Sequence, residues 1–265
     1  IWYICVLSFN DGGDALKGGI YWWPRAFTTQ NFGVVFADSA ILRSFLISIM
    51  RTVISTIATV LFTAMTAYAW SKPRLIGRKL FLALGLITMF FNGGLIPTFL
   101  VISSLGLYNN FLVFIIPTLF NFFNLIIFQA FFRELPDSLE EAAMIDGANE
   151  LRIFWTIILP LSKPVLATIS LFHGVFSWND FFMGSIYIKD SGLEPIATYL
   201  YRVIAGSSGV NAANMASGIS IQTGNVTSMS VQLATMVVAT VPVVMVYPFL
   251  QKYFVKGLLI GGVKG

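Results

Sequence analysis

The sequence predicts an all-α membrane protein: six transmembrane helices, with one structured loop between the fourth and fifth. Three observations predict it. Of 265 residues, 57% are hydrophobic and only 11% charged, with a mean hydropathy of +0.81; a water-soluble domain carries roughly 25% charged residues. Apolar stretches long enough to cross a bilayer recur along the chain. Half of the 12 acidic residues crowd into a single loop.

A helix rises about 1.5 Å per residue, so about 20 apolar residues cross the hydrocarbon core. Residues 1–9 (IWYICVLSF) read as the outer end of a first span, since they show neither the basic region nor the cleavage site of a signal peptide. Further spans are expected at about 44–70, 80–101, 109–132, 164–188 and 229–251. Such runs are too long for barrel strands, and backbone in lipid must bond internally, so they are helices. The segments 10–40 and 189–228 connect spans; the first is rich in Gly and aromatics, the second in Gly, Ser and Asn.

Orientation follows from Lys and Arg, which favour the cytoplasmic side. With loop 71–79 placed inside, alternation puts Lys72, Arg74, Arg78, Lys79, Arg133, Arg152, Lys163, Lys252, Lys256 and Lys264 inside. Only Lys17, Arg25, Lys189 and Arg202 fall outside, with Arg43 and Arg51 near the outer end of the second span. Both termini are then expected in the cytoplasm. The net charge of +4 does not by itself imply nucleic acid, and the lone Cys5 cannot form an internal disulfide.

The loop 133–163 (RELPDSLEEAAMIDGANELRIFWTIILPLSK) holds Glu134, Asp137, Glu140, Glu141, Asp146 and Glu150. Pro136 favours a break after the fourth span. Ser138, three residues before Glu141, has the spacing of a capping box and predicts a helix start. Leu139, Ala142, Ala143 and Ile145 follow at helical intervals, and Gly147 offers a turn or a point of close approach. Leu151, Phe154, Trp155 and Ile158 resume an apolar face that Pro160 ends. The pattern describes two short helices joined by a glycine elbow. It fits either a docking knob or an ordinary interhelical loop lying on the membrane.

Glu141-Ala142-Ala143, then Gly147, then Ile157-x-Leu159-Pro160 resembles the EAA motif of ABC importer permeases at every defining position. That resemblance implies a type I ABC importer permease fold, with residues 1–265 as a single transmembrane domain. It also implies that Glu141, Ala142, Ala143 and Gly147 contact an ATPase, with Ile157, Leu159 and Pro160 anchoring the return to the membrane. The chain has no GxxxxGK[ST] phosphate loop, so ATP and Mg are expected on separate ATPase subunits and no cofactor on this chain. The implied assembly has a second, similar permease, two ATPase subunits and an external binding protein, in a bacterial cytoplasmic membrane. Trp22 and Trp23 are candidate contacts for the binding protein, and the tail after Lys252 for the ATPases.

Ser177-Trp178-Asn179-Asp180 and the tail GLLIGGVKG look like the carbohydrate-importing, maltose-type branch. The aromatic outer segments and residues 247–257 are similar to a subgroup importing larger saccharides such as alginate. By helix rise, Asn121 and Asn124 lie roughly 16 and 12 Å above the inner end of span four, and His173 roughly 14 Å above that of span five. Neutral amides at that depth, on one helix face, suit a hydroxyl-rich ligand or bond helix to helix; His173 fits packing better. Asp180 and Arg51, each about 24–28 Å above the inner ends of their spans, are a candidate pair or outer gate. The substrate-path candidates are therefore Asn121, Asn124, Trp178, Asn179 and Asp180. No metal site or catalytic group is expected, which disfavours an enzyme. A secondary transporter would need intramembrane carboxylates for ion coupling, and only Asp180 qualifies; a permease for a non-sugar solute is the nearer alternative.

Overall fold

The computed structural model describes residues 1–72, 75–205 and 226–262, with side chains in the last helix as far as Val246. Among the described residues it is helical, with one isolated antiparallel bridge between Asn10 and Phe27. Contacts divide the chain into two compact units, one of Ile1–Met50 with Trp178–Val246, the other of Arg51–Ser177 with Tyr247–Gly265.

The α-helices longer than one turn are α1 (Trp2–Ser8), α2 (Gln30–Ala37), α3 (Ser39–Ser71), α4 (Arg78–Phe90), α5 (Leu95–Ser104), α6 (Phe122–Phe132), α7 (Asp137–Ile145), α8 (Glu150–Leu161), α9 (Lys163–Asn179), α10 (Phe182–Tyr187), α11 (Ile196–Ala205) and α12 (Ser228–Gly262). α3 runs 33 residues because it contains neither Gly nor Pro. By length and composition α3 and Ser228–Val246 can each cross a membrane alone, and three bent pairs can each make one further crossing.

The bends depart from the continuous helices expected at 80–101, 109–132 and 164–188. α4 and α5 meet at 115°. Between them Asn92 Oδ1 accepts the Gly94 N–H at 2.9 Å, and Gly94 takes a φ of 88° that side chains disfavour. Residues Phe111–Thr118 form tight 3-10 turns bent 50° from α6, because Pro117 supplies no N–H and Asn110 Oδ1 takes the Leu112 N–H at 3.0 Å. α9 stops at Asn179, and the Asp180 carboxylate accepts the Phe182 and Met183 N–H groups, starting α10.

In the unit of Arg51–Ser177 the core is aromatic and aliphatic, with Tyr68, Trp70, Phe122, Leu125, Phe128, Phe132, Phe154 and Ile169 buried together. Phe122 packs onto Gly85, where an added Cβ would come 1.9 Å from the ring. Buried hydroxyls tie α3 to its neighbours. Thr59 Oγ1 donates to the Thr118 carbonyl at 2.9 Å, and Ser55 Oγ lies 3.2 Å from Ser177 Oγ. His173 Nε2 lies 3.3 Å from Ser55 Oγ and 3.4 Å from Thr59 Oγ1, a hydrogen-bonded packing role. In lipid such bonds and close packing, rather than water exclusion, hold helices together.

In the other unit Trp178 sits on Val35, Ile41, Ile196, Ala234 and Ala239. The 10–31 segment is stitched by Asn31 Nδ2, which donates to the Ser8 and Asn10 carbonyls at 2.9 Å. Arg25 pairs with Asp14 at 2.9 Å and holds that carboxyl below its usual range.

Candidate coupling site and substrate path

The loop after α6 folds into an elbow of two short helices. α7 starts at Asp137, two residues earlier than a capping box at Ser138 requires; Pro136 occupies the cap position and no side chain caps there. Pro136, at φ −64° and ψ 127°, already turns the chain into the helix. Asp137 and Glu140 in the first turn complement the positive end of the helix dipole.

α7 ends in a closed turn. The Ala148 N–H donates to the Ala143 carbonyl at 2.9 Å and the Gly147 N–H to the Met144 carbonyl at 3.0 Å, the paired bonds of a Schellman motif. Gly147 holds φ at 79°, and a Cβ there would meet nothing within 4 Å. Backbone conformation alone therefore accounts for glycine at this position. Two residues on, Asn149 Oδ1 accepts the Arg152 N–H at 2.8 Å and starts α8. Within α8, Phe154–Ile158 widens into a π turn. Pro160 has no N–H to return to Thr156, so the wider register suits the sequence. α8 then meets α9 at 81°.

This geometry sorts the motif residues. Glu141, Ala142 and Gly147 are exposed on the elbow, as is Pro160 on α8. Ala143, Ile157 and Leu159 pack against the aromatic core. Two features escaped the sequence reading. Ile145 is 86% exposed beside Met144 and Leu139, giving the elbow an apolar tip. Lys72, just past α3, forms an ion pair with Glu140 of α7, and its Nζ lies 4.1 Å above the Tyr68 ring. Burial alone would lower the Lys72 pKa, but the Glu140 carboxylate and Tyr68 outweigh it and raise it above the ordinary value. The signal available was weak: Lys72 lies one helical turn after Tyr68, and Glu140 adjoins the motif.

The path candidates are dispersed. Asn121 does not share a helix face with Asn124. It precedes α6 and caps it, its Oδ1 accepting the Asn124 N–H at 3.0 Å. Asn124 is buried. Trp178 donates from Nε1 to the Ala239 carbonyl at 3.0 Å and meets the Phe45 ring edge-on. Asn179 and Trp178 border an open pocket of about 190 Å³ that Ile196, Leu200, Met236 and Thr240 also line. Asp180 starts α10 as described. The loop 189–228 includes residues 206–225, and the tail residues 263–265; both stretches lie outside the described residues.

The model of the binding-protein-dependent transport system inner membrane component family matches residues 32–260. The chain belongs to this family. As a permease of this family it is an integral membrane component built of helices. It is 43% identical to Protein LplC of Bacillus subtilis, over 99% of this chain and 88% of the relative. It is also 43% identical to the polygalacturonan/rhamnogalacturonan transport system permease protein YtcP of the same organism, over 99% and 91%. The fold superposes with a TM-score of 0.86 on a chain of a bacterial ABC transporter involved in the import of the acidic polysaccharide alginate. That pair is 33% identical, covering 96% of this permease and 89% of the other.

Proposed function

We propose that this permease is one of two membrane subunits of an ATP-driven, binding-protein-dependent importer that moves an oligosaccharide across the bacterial cytoplasmic membrane by alternating access. The observation that carries this reading is the elbow. It has exposed motif residues on a short helix, a closed Schellman turn, and a returning helix packed into the aromatic core. A rigid lever of this kind can pass the closing stroke of two ATPase subunits to the membrane helices; a mobile loop could not. ATP and Mg belong to those ATPases, and the elbow and both termini to the cytoplasm, in keeping with the Lys and Arg distribution. Glu141 and Ala142 make the ATPase contact around the apolar tip at Ile145, while Gly147 shapes the turn.

Acidic sugar chains are the first substrates to test, since relatives carry the names of polygalacturonan and alginate transport. Asn124, Trp178, Asn179 and Asp180 are the groups offered to the path. Reconstitution in proteoliposomes with the second permease, the ATPases and the binding protein checks the reading. Uptake of uronate oligosaccharides should require ATP on the ATPase side and exceed uptake of neutral maltose-type sugars. Ala142→Trp should abolish ATPase co-purification without unfolding the permease, because Ala142 faces solvent. ATP-independent uptake, or an Ala142→Trp permease that retains its ATPase and full transport, would refute the lever.

A further inference from the structure

We propose that Lys72 and Glu140 form the strut through which the elbow drives α3, making Lys72 a positioning residue for transport although it lies outside the motif. The inference rests on the importer reading above. Lys72 is the first residue beyond α3, and its ammonium pairs with Glu140 in the first turn of α7. Both side chains are largely sheltered, 17% and 21% exposed, so water and salt screen the pair less than they would an open surface pair.

The same ammonium sits over Tyr68, one turn back on α3. The Tyr68 ring in turn lies 5.4 Å from Phe154 of α8 and 6.3 Å from Phe132 at the end of α6. One cation thus joins both arms of the elbow to the end of a 33-residue helix. The arrangement is directional. Glu140 stands one residue before the exposed Glu141, so a push on the α7 surface reaches Lys72 through a single helical turn. A rigid helix carries that displacement along its length, and the strut adds a polar link to the apolar packing of Ile157 and Leu159 on the same core.

The expected signature is loss of coupling with assembly preserved. In the reconstituted complex, substrate taken up per ATP hydrolysed should fall about 5-fold or more for Lys72→Met and Glu140→Gln, the range of ordinary coupling energies. ATPase co-purification should be unchanged. Lys72→Arg, which keeps both the ion pair and the ring contact, should retain most of the ratio. The Lys72→Met, Glu140→Gln double variant should lose no more than either single one, as two halves of one strut. An unchanged ratio in the single variants overturns the inference, as does loss of ATPase binding in Lys72→Met and Glu140→Gln alike. A wild-type complex that transports nothing with ATP would instead overturn the importer reading, so the two failures are distinct.

Discussion

Gly147 illustrates how a single residue sets the geometry of the elbow through its backbone conformation. Its φ of 79° closes the turn between α7 and α8, and open space surrounds the position of a Cβ. Gly147→Ala should therefore cost about 1 kcal/mol, from backbone strain alone. For a chain of this size that is a drop of about 2–4 °C in Tm, measured by thermal unfolding of the purified permease in detergent. Gly147→Asn should cost less, since Asn tolerates the left-handed conformation. Equal losses in Tm for Asn and a β-branched residue such as Val would contradict the backbone explanation. The sequence made the glycine visible but left its reason open between a turn and a close approach; the two bonds from Ala148 and Gly147 decide for the turn. Asn121 shows the opposite outcome. Its spacing from Asn124 suggested a shared face, and only the break after Pro117 reveals a cap.

Helices were legible where apolar residues run without interruption, as in α3, and less so where a few residues redirect the chain. Averaged hydropathy passes smoothly over Phe91-Asn92-Gly93-Gly94, yet that stretch turns the path by 115°. Asn92 and Gly94 satisfy locally the backbone groups that a straight helix would have paired. The packing of α4 on α6 was equally hidden, because nothing in the sequence says that Gly85 faces Phe122. The structure makes that contact specific, with the ring filling the space a side chain would need. Gly85→Ala should force the ring off its seat and cost about 1–3 kcal/mol by overpacking. Phe122→Leu in the same chain should recover part of the loss, since Leu leaves room for the added methyl. Thermal unfolding of the single and double variants reads this coupling directly; additive losses would mean that the two residues do not share the space.

At the scale of the whole molecule, membrane permeases are distinguished less by their cores than by which ends face which compartment. The orientation proposed above from the Lys and Arg distribution has the elbow inside and the aromatic segment around Trp22 and Trp23 outside. Both places are reactive in principle, since Ile145 is 86% exposed and Trp23 is 74% exposed. Cys5 is the single cysteine of the chain, so a Cys5→Ser background gives a clean reporter. In right-side-out vesicles a membrane-impermeant maleimide should label Trp23→Cys at once, and Ile145→Cys only after the membrane is permeabilised. Bound ATPase should then shield Ile145→Cys, because the apolar tip lies at the centre of the proposed contact, and should leave Trp23→Cys unaffected. Labelling of Ile145→Cys in sealed vesicles would place the elbow where no cytoplasmic ATPase could reach it, and the lever would have no engine.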